Sequence, residues 1–129
     1  MDECVQPTNV LPIVYDRPKH KENFSVCVKA LYFPETDFSY RLVEWFEALF
    51  LLGANKVFIY VHEVHPNISR VLKHYAAEGL IHVTPYDFPI GNGNPPANIT
   101  GSPYLVIQQK RRLELVPLND CLYRNLYSH

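Results

Sequence analysis

The stretch from residue 38 to residue 86 constrains this chain most, because its hydrophobic period switches between helical and extended twice in fifty residues. Across residues 41–52, Leu42, Trp45, Phe46, Leu49 and Leu52 recur at helical spacing, and Arg41, Glu44 and Glu47 take the other side. Gly53 follows at once, where a left-handed residue closes a helix. Residues 57–61 (Val57, Phe58, Ile59, Tyr60, Val61) form an apolar run rich in β-branched and aromatic side chains, the pattern of a strand covered on both faces. A second cycle repeats the plan. Pro66 suits a first helical turn, Ile68, Val71, Leu72 and Tyr75 make the apolar stripe, and Gly79 ends it. Residues 80–84 read as the next strand, stopped by Pro85. Strands alternating with helices of this length imply right-handed crossovers and a parallel sheet, so the fold class is α/β.

The flanks are less regular. Residues 24–32 read as a strand that precedes the first helix, and residues 33–37 leave it through Pro34, Glu35 and Asp37. Asp37 or Ser39 is placed to cap that helix, although neither has Glu or Gln three residues later. Residues 1–22 are polar and proline-bearing and read as a lead-in segment, with residues 23–129 as the domain. Residues 86–103 hold four prolines and three glycines and read as a long loop. Its Gly91-Asn92-Gly93-Asn94-Pro95 run is no dinucleotide fingerprint, since the third glycine is missing and proline forbids the following helix. Lys110, Arg111 and Arg112 form a basic triplet that a solvated face explains. Pro117 opens a last helix over residues 118–127, with Leu118, Cys121, Leu122 and Asn125 on one face. A helix of this type should feed a further strand, so the sequence reads as stopping short.

Composition removes several function classes. An apolar fraction of 47% suffices for a core, and a formal net charge of −1 gives no electrostatic basis for binding nucleic acid or an anionic membrane. No run approaches the roughly 18 apolar residues that cross a bilayer. Asp2, Glu3, Asp16 and three prolines in the first twenty residues do not make a signal peptide. Cys4, Cys27 and Cys121 have no metal-type spacing; Cys27 and Cys121 read as ordinary buried thiols, and Cys4 as a residue able to pair elsewhere. Asn23, Asn67 and Asn98 each begin an Asn-x-Ser/Thr glycosylation motif, and three in so short a chain tilt towards the secretory pathway.

A parallel sheet binds ligands beyond the carboxyl ends of its strands. Three loops fall there and carry Glu35, Asp37, His62, Glu63, His65 and Asp87. Such a carboxylate accepts hydrogen bonds from a ribose hydroxyl or a base N–H; the alternative is a solvated loop charge. His62 and His65 are three apart at a strand end, not four apart on a helix, so a structural or solvent-facing role fits them better than zinc. No Asp-x-Asp, nucleophile elbow or phosphate-binding glycine loop occurs, so no complete active site is present in the sequence.

Several stretches together resemble the amino-terminal part of a glycosyltransferase family 92 domain. They are residues 24–32 (FSVCVKALY), 42–47 (LVEWFE), 51–54 (LLGA), 57–60 (VFIY), 71–75 (VLKHY), 78–80 (EGL) and, most specifically, 118–124 (LNDCLYR). The resemblance implies a GT-A-like, Rossmann-type sheet and transfer of a hexose, typically galactose from UDP-galactose, to a glycan acceptor on a glycoprotein or glycolipid. It also implies a divalent cation, often manganese, and a Golgi membrane enzyme with a lumenal domain. The family's membrane anchor is expected outside this sequence, and its acidic metal motif, catalytic base and acceptor site beyond His129. For donor binding it points to Glu35 and Glu63, and to Asn119, Asp120 and Arg124 on the last helix, where they face ribose or diphosphate. The competing reading is a truncated, catalytically inactive product or a non-catalytic binding module, and an isolated half-sheet is expected to be aggregation-prone.

Overall fold

The computed structural model describes residues 24–87 and 114–126. The lead-in segment, Cys4, Asn23, most of the 86–103 loop with Asn98, the basic triplet and the end of the last helix lie outside the described residues. The element order is β1 (Phe24–Phe33), α1 (Ser39–Leu51), β2 (Ala54–Val64), α2 (Pro66–Ala77), β3 (Ile81–Pro85) and α3 (Leu115–Asn125). The three strands form one parallel sheet in the order β1-β2-β3, so the α/β architecture and parallel pairing expected from the alternating pattern are observed.

Both helix stops are where glycine places them. Gly53 has φ 92° and Gly79 φ 75°, the left-handed values that let the chain reverse into the next strand. Ser39 and His65 mark the helix starts differently. Asp37 Oδ1 accepts the Ser39 N–H at 3.0 Å, while His65 Nδ1 accepts the Asn67 N–H at 3.2 Å just ahead of Pro66. Asp37 therefore serves the first turn of α1 from one residue before the N-cap position, which Phe38 occupies.

The core lies between the sheet and the pair α1 and α2. Leu42 and Phe46 of α1, Ile68, Leu72 and Tyr75 of α2, and Leu31, Val57, Ile59 and Ile81 of the strands are buried there. Full burial of Phe46, Ile59 and Ile68 contributes about 1.5–3 kcal/mol each. The apolar stripe expected on α1 is too wide. Trp45 is 38% exposed and Leu52 74% exposed, because α2 and the sheet cover only the Leu42–Phe46 side of the helix. Leu122 of α3 is likewise turned outward.

Alternation along the strands assigns the other face. Val57, Ile59 and Val61 of β2 face the core, so Phe58, Tyr60 and His62 project to the opposite side, where α3 lies. The β1–β2 register slips between Val28 and Leu31, so Lys29 and Ala30 together oppose Tyr60, and slips back between Leu31 and Tyr32. This bulge lets β1 keep Val28 and Leu31 on the core side.

The candidate donor crevice

Helix α3 is fixed to the sheet at three points. Cys27 in β1 is disulfide-bonded to Cys121 in α3, with Cα atoms 6.0 Å apart. Lys29 Nζ is 2.7 Å from Glu114 Oε1, immediately before α3. Tyr60 of β2 donates its hydroxyl hydrogen to Asp120 Oδ2 at 2.6 Å. The expectation that Cys27 and Cys121 are ordinary thiols is thus corrected: both project from facing elements onto one point, although 94 positions separate them in sequence. Since Glu114 lies beside Lys29 and Cys121 beside Cys27, α3 runs antiparallel to β1, beginning near the carboxyl end of the strand.

That orientation separates the residues picked out in the sequence into two groups. Glu35 follows β1 and Glu63 stands near the end of β2, opposite Tyr32 in register; both are exposed at the carboxyl end of the sheet. Asp120 and Arg124 lie further along α3, where Asp120 meets Tyr60 of β2. Arg124 Nε donates to Asp120 Oδ1 and Oδ2 at 2.9 and 2.8 Å, so the two are paired with each other and with Tyr60. Burial pushes the Asp120 carboxyl up, but the hydrogen bonds from Arg124 and Tyr60 outweigh it and hold the group below the usual carboxylate range. Burial, reinforced by the Asp120 acceptor, pushes the Tyr60 hydroxyl well above an ordinary tyrosine. Asn119 is exposed on the same helix.

At the carboxyl end the loops are tied to one another. Asp37 Oδ2 accepts from Asn67 Nδ2 at 2.5 Å, joining the β1–α1 loop to the start of α2. Chiefly through Asn67, and then through the Ser39 N–H, the Asp37 carboxyl is lowered to about 2. His62 Nδ1 is 2.9 Å from the Tyr86 carbonyl oxygen, which can only accept, so Nδ1 carries the proton. The His62 ring lies 5.4 Å from that of Tyr32. Both histidines therefore take the structural roles their spacing suggested: His65 caps α2, and His62 joins β2 to the chain leaving β3. A pocket of about 190 Å³ opens along the second half of β1, lined by residues 29–33, His62 and Glu114.

The described residues do not form a divalent-cation site. No group of three or more His, Cys, Asp or Glu side chains converges among them, and both Asp37 oxygens already accept hydrogen bonds.

The Asp37–Asn67 and Tyr60–Asp120 bonds escaped the sequence reading, since each joins residues far apart in the chain by contacts that no local motif encodes. The cysteine pair left one usable trace, a cysteine in mid-strand and another on an inward helix face.

No curated protein and no solved structure matches the chain. The family model of glycosyltransferase family 92 matches residues 22–129, a span that covers every described element. With its alternating parallel sheet and the match running through all of it, the chain belongs to glycosyltransferase family 92.

Proposed function

We propose that this chain forms the donor-binding side of a hexosyltransferase, with UDP-galactose as donor and a glycan of a glycoprotein or glycolipid as acceptor. One observation carries the placement of the donor: α1 and α2 cover one face of the sheet and α3 the other. A right-handed crossover through α3 leads to the side of β1 away from β2. A strand placed there would make the order reverse at β1, and a crevice outside its carboxyl end is where an open α/β sheet takes a nucleotide. The 190 Å³ pocket along β1, and the exposed Glu35 and Glu63, support that position.

In this reading Glu35 and Glu63 accept hydrogen bonds from the ribose hydroxyls and the base N–H. Such bonds orient the nucleotide so that the sugar faces the acceptor. Asp120 and Arg124 act on the donor through the placement of α3, which they hold against Tyr60, and Asn119 is the member of that helix left to reach the ligand directly. Manganese, when bound, neutralises charge on the leaving diphosphate.

A lumenal, Golgi setting accords with the Cys27–Cys121 disulfide, since such bonds persist in oxidising compartments. The Asn-x-Ser/Thr motifs agree with it. The test is UDP release by the full-length polypeptide from UDP-galactose and UDP-glucose, with glycoprotein and glycolipid acceptors and manganese. Acceptor-dependent release from UDP-galactose is expected. UDP binding without transfer would favour the non-catalytic module, and absence of UDP binding would overturn the donor reading.

A further inference from the structure

We propose that Asp37 is a positioning residue for the donor crevice, acting with Asn67 as a latch between the loop that follows β1 and the first turn of α2. The proposal rests on the donor reading above. Glu63 is held in β2 opposite Tyr32, whereas Glu35 lies in the β1–α1 loop two residues before Asp37, so the spacing between these two carboxylates depends on how that loop is held. Backbone pairing ends at Phe33 and Val64, with a last bond from His65 N to Phe33 O at 2.8 Å. Beyond it the Asn67 Nδ2–Asp37 Oδ2 hydrogen bond, 2.5 Å long, joins the β1–α1 loop to the first turn of α2.

The carboxylate does two things at once. Its Oδ1 accepts the Ser39 N–H and fixes the start of α1, while its Oδ2 holds Asn67 at the start of α2. His65 Nδ1, which caps α2 through the Asn67 N–H, lies 3.9 Å from the same Oδ2. One side chain therefore sets the first turns of two helices, both at the carboxyl end of the sheet. An ionised acceptor is suited to that work, because hydrogen bonds to a charged group are stronger than neutral ones.

The latch also bears on modification. Asn67 Nδ2 is the atom at which the Asn67-Ile68-Ser69 motif would carry a glycan. In the fold that atom is bonded to Asp37, Ile68 is fully buried, and the motif forms the first turn of α2. A glycan on Nδ2 would leave one N–H there, so the sugar and the Asp37 bond would share that atom.

The experiment measures UDP affinity in the presence of manganese, on the full-length polypeptide, at a temperature where circular dichroism shows every variant folded. Asp37→Ala and Asn67→Ala are each expected to weaken UDP about tenfold, the scale of one lost charge-assisted hydrogen bond. Ser69→Ala removes the glycosylation motif alone and leaves affinity unchanged. The reciprocal double variant Asp37→Asn with Asn67→Asp exchanges donor and acceptor, and it restores affinity to within about twofold. A merely structural contribution would shift the melting temperature without this loss and recovery of affinity. Wild-type protein that fails to bind UDP overturns the donor reading and this proposal with it. Wild-type binding matched by Asp37→Ala, or no recovery in the double variant, overturns the latch alone.

Discussion

Cys27, in the middle of β1, is bonded to Cys121, in the middle of α3, across 94 positions of sequence. The bond ties the helix to the face of the sheet that α1 and α2 leave uncovered, where the Lys29–Glu114 and Tyr60–Asp120 pairs also attach it. Cys121 is fully buried and Cys27 half-buried, so α3 shields the bond from a reductant while it is seated on the sheet.

Replacing both cysteines by serine is expected to cost about 2–5 kcal/mol, the usual loss for a native disulfide that closes a long loop. Denaturant unfolding of the double variant against the parent measures it. Intact-mass analysis after alkylation without reductant should leave Cys27 and Cys121 unmodified; two alkylated thiols at these positions would contradict the bond.

Tyr60→Phe keeps the ring and removes the hydroxyl, leaving the partly buried Asp120 with Arg124 alone. We expect a loss of about 1–3 kcal/mol in unfolding free energy. Arg124→Met should cost under about 1 kcal/mol, because the Arg124 side chain is 62% exposed and its ion pair is screened by water. A larger loss for Arg124→Met than for Tyr60→Phe would show that Arg124, and not Tyr60, anchors the carboxylate.

Acid stability should depend on Asp37. Its folded value, about 2, lies below the ordinary 3.8, so the unfolded chain binds more protons in that interval. The contribution is fully present above the ordinary value and disappears as pH falls towards 2. Melting temperatures measured from pH 5 down to pH 2 should fall less steeply for Asp37→Ala than for the parent, and parallel curves would count against the Asn67 and Ser39 bonds.

Glu35→Gln and Glu63→Gln test the donor crevice without disturbing the core. Both residues are exposed, so unfolding free energy should stay within about 0.5 kcal/mol of the parent. Together they should weaken UDP about tenfold, through loss of charge at two acceptors. Unchanged affinity by titration calorimetry would remove them from the site.

Gly79→Ala isolates a backbone effect. The residue has φ 75°, and an added Cβ would meet nothing within 4 Å. The expected cost is therefore the left-handed conformation alone, about 1–2 kcal/mol, read from thermal unfolding.

The sequence by itself determined the order and type of the elements from β1 to α3. Local rules suffice there: Leu42 and Phe46 at helical spacing, the β-branched run at residues 57–61, and the two glycines at the helix ends each act within a few residues. Tertiary structure alone decided which part of each apolar stripe is buried, and so Trp45 and Leu52 face outward although their spacing matches that of Leu42 and Phe46. It likewise decided that α3 lies across the sheet from α1 and α2. That placement joins Cys27 to Cys121 and turns Asp120 towards Tyr60. Periodicity specifies what a segment is, because a helix or a strand is set by neighbours in the chain. Which face meets which partner depends on contacts between residues tens of positions apart, and those exist only once the chain has closed on itself.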